Sequence, residues 1–127
     1  MQTKTFSHNG ATITVQTTTG ATILDQRAAE VTLGVYDNSV PQRTRYHRIK
    51  FAEAYAHSTI EGTLGFDWPE VPFDRDAMAA ACEAWLALPG EVIEQWVNEL
   101  VLVNTTPNDP DLKPPEAVEK KDAKTRK

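Results

Sequence analysis

A single cysteine, Cys82, is the only thiol in the 127-residue chain, so no internal disulfide can form. The fold therefore does not depend on an oxidising compartment. No apolar run approaches the roughly 20 residues that a bilayer-spanning helix needs, and Met1 to Phe6 lack the apolar core of a signal peptide. We expect a cytoplasmic protein that does not associate with membranes.

Motifs of common enzyme chemistry are missing as well. The sequence contains no glycine-rich phosphate loop, no Gly-x-Ser-x-Gly and no His-Glu-x-x-His. Cys82 shares a predicted helical face with Met78 and Trp85, which indicates a small buried side chain rather than a nucleophile. None of the histidines has a cysteine or carboxylate at metal-ligand spacing: His8, His47 and His57. The sequence thus predicts no catalytic residue, no cofactor and no metal.

Hydrophobic residues make up 40% of the chain and charged residues 24%, which is typical of one globular domain. That character changes at Asn104, where a proline-rich stretch begins and is followed by a run of Lys, Glu and Asp. Such a stretch buries too little apolar surface to offset the loss of chain entropy. We predict one globular domain over residues 1–103 and a disordered tail over residues 104–127.

The N-terminal segment has the pattern of a β-hairpin. Asn9-Gly10 is a strong signal for a tight turn, because both residue types tolerate a positive φ. After the turn, Ile13 and Val15 alternate with threonines, as in a half-buried strand.

A first helix is predicted from about Thr22, where Thr22 and Asp25 resemble a capping box, to Asp37-Asn38. Residues 31–36 are rich in β-branched side chains and contain a glycine, so they also fit a strand, but the helical spacing of the apolar residues favours the helix.

A second helix is predicted to open at Ser39 to Pro41 and to stop near Gly62. Its main apolar stripe comprises Tyr46, Ile49, Ala52, Ala56 and Ile60. Phe51 and Tyr55 lie beside that stripe, so the apolar arc covers more than half of the circumference. A helix packed on one side needs less, so this helix is either buried between two layers or contacts a partner.

Residues 62–73 are rich in apolar side chains and interrupted by prolines, so we expect them to cross the helices as a packed strap. Asp74 is a suitable N-cap for a third helix, and Pro89-Gly90 separates that helix from a fourth. The expected fold class is α+β, mainly α, with a β-hairpin packed on about four helices that include a C-terminal αα-hairpin.

Charge is unevenly placed within the net charge of −5: residues 61–99 carry nine acidic side chains against Arg75 alone. The second helix is basic, and it supplies the candidate partner-binding set: Arg43, Arg45, His47, Arg48, Lys50, Phe51 and Tyr55. Three interpretations stay open for the basic residues, namely a solvated face, contact with an acidic protein surface such as residues 61–99 of another copy, and phosphate contacts on nucleic acid. The net negative charge makes nucleic acid the least favoured partner.

Residues 62–115 present a particular order of features: Phe66-Asp67-Trp68-Pro69, then Trp85-Leu86-Ala87-Leu88-Pro89 at the corner of a helix pair, then Trp96, then Asn104 to Pro115. In this order they resemble the tail assembly chaperones of tailed bacteriophages and prophages. The resemblance implies a non-enzymatic factor that binds the tape-measure protein, keeps it soluble and helps tail-tube subunits polymerise around it. It also implies a capacity to form homo-oligomers.

Two alternatives stand beside that implication. One is a structural protein retained in the tail or neck of the virion, and the other is a small nucleic-acid-binding regulator that uses the basic helix.

Overall fold

The computed structural model describes residues 2–105, which form three strands and four helices. In chain order they are β1 (Thr3–His8), β2 (Ala11–Gln16), α1 (Gly20–Thr32), α2 (Gln42–Ala56), β3 (Ser58–Glu61), α3 (Arg75–Leu86) and α4 (Gly90–Thr105). The predicted α+β, mainly α class is therefore confirmed. The tail predicted over residues 104–127 lies outside the described residues, except that its first two residues continue α4.

The N-terminal hairpin is confirmed, and its turn residues Asn9 (φ 49°) and Gly10 (φ 83°) both have the positive φ that the turn requires. In the antiparallel register, Phe6 lies opposite Ile13. Both are buried, because they share the face of the sheet on which α4 packs. The opposite face carries Thr5 and Thr14, whose hydroxyl oxygens lie 3.3 Å apart. The sheet thus has one core face and one threonine-rich outer face.

The second helix is shorter than predicted: α2 ends at Ala56, and the chain continues as β3 rather than as helix to Gly62. β3 pairs antiparallel with β2, so that Ile60 lies opposite Ile13 and the strand order is β1-β2-β3. The sequence alone does not reveal this strand, because Ile60 continues the helical spacing of α2 equally well. The β-branched pair Thr59-Ile60 and the open edge of β2 favour the strand.

The boundaries predicted for α1 also need correction. Its capping box is formed by Thr19 and Thr22, not by Thr22 and Asp25, and each side chain bonds the backbone of the other residue. The helix ends at Thr32, because Gly34 adopts a left-handed φ of 74°. Val35 N then donates to Glu30 O and Gly34 N to Val31 O, which is the Schellman pattern. Residues 33–36 are therefore neither helix nor strand.

An aromatic cluster occupies the core between the sheet, the helices and the strap (residues 62–73). Trp96 of α4 stacks on Trp68 of the strap, with ring centroids 5.6 Å apart, and meets the edge of Trp85 of α3 at 5.9 Å. Its Nε1 donates to Ser58 Oγ at 2.9 Å, which ties β3 to α4. The strap is packed as predicted at Leu64, Phe66 and Trp68, but Val71 and Phe73 at its end are exposed.

The predicted N-cap of α3 is confirmed, since Ala77 N donates to Asp74 Oδ1 at 3.1 Å. Residues 87–89 connect α3 to α4, so the two helices predicted on either side of Pro89-Gly90 are present; α4 makes its main contacts with β1 and β2, and the antiparallel αα-hairpin stays a prediction. Among the helices of residues 2–105, none combines the length and the apolar character needed to cross a membrane.

Gly62 is the glycine most sensitive to substitution. It follows β3 with φ 85°, and a Cβ at this position would lie 2.9 Å from Gly10 O in the hairpin turn. We predict that Gly62→Ala lowers the unfolding free energy by about 2 kcal/mol, because the left-handed backbone is strained and two turns are forced apart. Urea denaturation measures the change.

Gly20→Ala is the matched control, because a Cβ at the start of α1 would meet no atom within 4 Å and the φ there is not left-handed. It should leave the stability unchanged or raise it slightly. Equal effects of the two substitutions would contradict the close approach of β3 to the hairpin turn.

Candidate functional site

The two aromatic residues of the candidate set belong to the core. Phe51 has 0% of its surface exposed and packs edge-on against Trp85 and Trp68. Tyr55 is also buried, and its hydroxyl donates to Pro69 O at 3.0 Å. The prediction that these side chains contact a partner is therefore wrong, because the strap and α3 cover this part of α2.

Two of the basic residues hold backbone carbonyl groups within the domain. Arg48 Nη1 donates to Leu33 O at 2.9 Å, which satisfies a carbonyl at the end of α1. Arg45 Nε donates to Val40 O at 3.0 Å, just before α2 begins. Both side chains are half-buried, so they stabilise the connection between α1 and α2.

The other basic residues of the set are available at the surface. Arg43 and His47 are exposed, whereas Lys50 forms an ion pair with Glu53 at 3.2 Å. The Lys50 ammonium also lies 5.9 Å from the centre of the Tyr46 ring. A solvent-exposed ion pair of this kind contributes about 0–1 kcal/mol, so an incoming carboxylate can replace Glu53 at low cost.

A groove of about 320 Å³ lies beside these residues, and we call it the apolar groove. From α2 it is lined by Tyr46, His47 and Lys50, and from the last two helices by Leu86, Ile93 and Val97. Tyr46 is 58% exposed and Leu86 is 42% exposed, so its walls present large apolar side chains to solvent. The groove thus combines apolar side chains from α3 and α4 with the Lys50 ammonium and the His47 imidazole on the α2 side.

The surplus apolar surface predicted for α2 is present, but it lies on other residues than those predicted to bind a partner. Tyr46 and Ile49 are the exposed members of the stripe, whereas Phe51 and Tyr55 are covered. Leu86 is a further residue of this surface, and its place next to the connection between α3 and α4 is the one sequence signal that points to it. Only the packing of α3 and α4 shows that it faces α2.

A second cleft of about 320 Å³ adjoins the apolar groove, since His47 and Leu86 line both. Arg48, Arg75 and Thr44 surround it, with Glu83 as an acidic neighbour. Cys82 also lines this cleft, yet burial raises the pKa of its thiol to about 11. The thiol is therefore protonated at neutral pH and is a poor nucleophile.

A larger cleft of about 610 Å³ lies elsewhere, between the start of α1, β3 and the strap. The charged side chains that line it are the carboxylates of Asp25 and Glu70. Within residues 2–105, no three His, Cys, Asp or Glu side chains converge in a way that could hold a metal ion.

A buried polar network connects α1 to the end of α2. Gln26 Nε2 donates to Glu30 Oε2 at 3.1 Å, which leaves Gln26 Oε1 to accept from His57 Nε2 at 2.8 Å. Tyr36 donates to the other Glu30 oxygen at 2.6 Å, and Arg27 pairs with the same carboxylate. His57 Nδ1 is buried and has no hydrogen-bond partner among the described residues, so a proton at this atom would be unsatisfied.

No family model, no curated protein and no solved structure matches this chain.

The His57 environment makes the stability depend on pH. Desolvation lowers the pKa of His57 below its ordinary value of 6.5, and the Glu53 carboxylate only partly opposes this shift. In the unfolded chain, His57 therefore binds a proton near pH 6.5, whereas in the folded chain it binds a proton only at a lower pH. We predict that the unfolding free energy falls as the pH decreases from about 7 to 5, and that His57→Gln makes this decline shallower.

Chemical denaturation at a series of pH values measures both curves. Parallel curves for the wild type and the variant over this range would show that His57 does not contribute to the pH dependence.

Proposed function

We propose that this protein is a non-enzymatic factor that binds helical segments of other structural proteins while a phage-type tail is assembled in the host cytoplasm. The observation that carries the binding role is the apolar groove with its cationic side. The assignment to tail assembly derives from the sequence resemblance over residues 62–115.

The occupant that fits the apolar groove best is an acidic amphipathic helix. The apolar lining formed by Leu86, Ile93 and Val97 suits a row of apolar side chains at helical spacing. His47 and Lys50 on the rim suit carboxylates that flank such a row. Tyr46 adds an exposed aromatic side chain, a residue type that often contributes strongly to binding at protein interfaces.

The basic residues give less support to nucleic acid as the partner. Arg45 and Arg48 already donate to backbone carbonyl groups and Lys50 is paired with Glu53, so few cationic groups of the set remain to contact a phosphate backbone. The structural alternative, a subunit retained in the tail or neck of a virion, uses the same groove. Mass spectrometry of purified particles distinguishes it from an assembly factor.

A synthetic helical peptide of leucine and glutamate at amphipathic spacing tests the groove directly. We predict that it binds the wild-type protein more tightly than a control peptide in which lysine replaces glutamate. Leu86→Asp should weaken binding at least about tenfold, because it places a charge in the apolar lining of the groove. Lys50→Glu should weaken binding and also reduce its dependence on salt. Fluorescence anisotropy of a labelled peptide measures each effect.

Leu24→Asp is the matched control, because Leu24 is 69% exposed on α1 and lines none of the clefts described above. It should leave peptide binding unchanged. Equal affinity for the acidic and basic peptides, or binding that survives Leu86→Asp, would contradict the proposed occupant.

The tail assignment has its own test. We predict that a tape-measure or tail-tube protein encoded by a flanking gene stays soluble when it is co-expressed with the wild-type chain and precipitates when it is co-expressed with Leu86→Asp. Soluble yield after centrifugation measures this effect. If neither tail protein depends on the chain while the acidic peptide binds, the binding role stands and the tail assignment fails.

A further inference from the structure

The cleft that adjoins the apolar groove is lined by two arginines, and we call it the arginine cleft. It lies between α2 and α3 beside the end of α1, and its volume of about 320 Å³ is within the range of small-molecule sites. Arg48 enters it from α2 and Arg75 from α3. A guanidinium group stays protonated at physiological pH, so the cleft brings together two positive charges from different helices.

Neither of these charges is neutralised by a carboxylate. Among the described residues, 2–105, no acidic group lies within ion-pair distance of Arg48 or Arg75. Glu83 is the acidic residue of the lining, and it follows Arg75 by two turns of α3, about 12 Å along the helix axis. The Arg75 end of the cleft is therefore positive and has no counterion among residues 2–105.

Arg48 is held in place for contact with a ligand. Its Nη1 donates to Leu33 O at 2.9 Å, which uses one of five N–H groups and leaves the positive charge in place. Burial raises the pKa of the Cys82 thiol to about 11, and the Arg48 charge opposes that shift. The guanidinium therefore lies close enough to act on a group in the wall of the cleft. Because its position is already fixed, it loses little entropy when it binds an anion.

Uncharged groups complete the lining. The half-buried side chains of Thr32 and Thr44 have hydroxyl groups with no hydrogen-bond partner within residues 2–105, so they can donate to a bound oxygen. Leu33, Ala79 and Leu86 supply apolar surface. The cleft thus offers charged and neutral donors to an oxyanion and an apolar wall to a group attached to it.

We propose that the arginine cleft binds a small organic oxyanion, which is a carboxylate or a phosphate monoester with a compact apolar group. The oxyanion lies between Arg48 and Arg75, because the planar guanidinium matches the oxygens of both carboxylate and phosphate. The apolar group packs against Ala79 and Leu86. This inference does not rest on the proposed function, which uses the apolar groove.

Benzoate and phenyl phosphate are the probes, because each joins an oxyanion to an apolar ring. We predict that both cause saturable shifts in nitrogen–proton correlation NMR spectra of the full chain, at constant pH and ionic strength. The shifts should be largest at the backbone amides of Thr44, Ala79 and Glu83, which belong to the cleft wall. Benzamide has no charge and inorganic phosphate has no ring, so each should bind at least about fivefold more weakly.

Two pairs of substitutions at exposed positions test whether binding occurs in the cleft. Arg75→Gln removes a charge from the cleft and should weaken binding of both probes about tenfold. Arg43→Gln removes the same charge outside the cleft and should leave binding unchanged. Ala79→Trp fills the cleft and should abolish binding, whereas Ala80→Trp lies beside it on α3, lines none of the clefts described above and should have no effect. Circular dichroism verifies that the variants stay folded.

If neither oxyanion causes a saturable shift up to roughly 20 mM, the inference is overturned. Equal binding of benzoate and benzamide would also overturn it, as would equal losses from Arg75→Gln and Arg43→Gln, since the cleft would then not recognise an oxyanion. Binding of phenyl phosphate alone identifies the ligand as a phosphate monoester, and binding of benzoate alone identifies it as a carboxylate. A protein that binds either probe but no acidic helical peptide retains the oxyanion site and loses the helix-binding role.

Discussion

The fold depends on the burial of one side chain, the indole of Trp96. It has 0% exposure, stacks on Trp68 of the strap and meets the edges of Phe6 in β1 and Trp85 in α3. Its Nε1 donates to Ser58 in β3, so the one polar atom of the ring is satisfied. The sheet, the strap and two helices are thus held together at a single residue of α4.

The position of that cluster determines where the surface is left apolar. Phe51 packs within this cluster, so the C-terminal half of α2 is covered by it. The N-terminal half of α2 extends past the cluster, so Tyr46 and Ile49 stay exposed. Arg48 reaches from this half to Leu33 O, which fixes α2 against the end of α1. The apolar groove lies where the aromatic core stops and the helix continues.

Features with a local sequence signal could be predicted, whereas features that depend on residues distant in the chain could not. Asn9-Gly10 and Asp74 specify a turn and a helix start through their own backbone preferences, and both are present. Ile60 fits the period of a helix and of a strand, and only the edge of β2 decides between them. The surplus of apolar surface on α2 was visible, but which half is covered depends on Trp68 and Trp85, which come later in the chain.

The late return of β3 to the sheet has a consequence for how the chain folds. The hairpin closes between neighbours, whereas Ile60 meets Ile13 only after α1 and α2 have folded back between them. The entropy of closing that long loop is lost before the third strand gains its hydrogen bonds. We therefore expect the hairpin to form early and sheet completion to limit the folding rate, so that a chain emerging from the ribosome stays incomplete until Ser58 can meet Trp96.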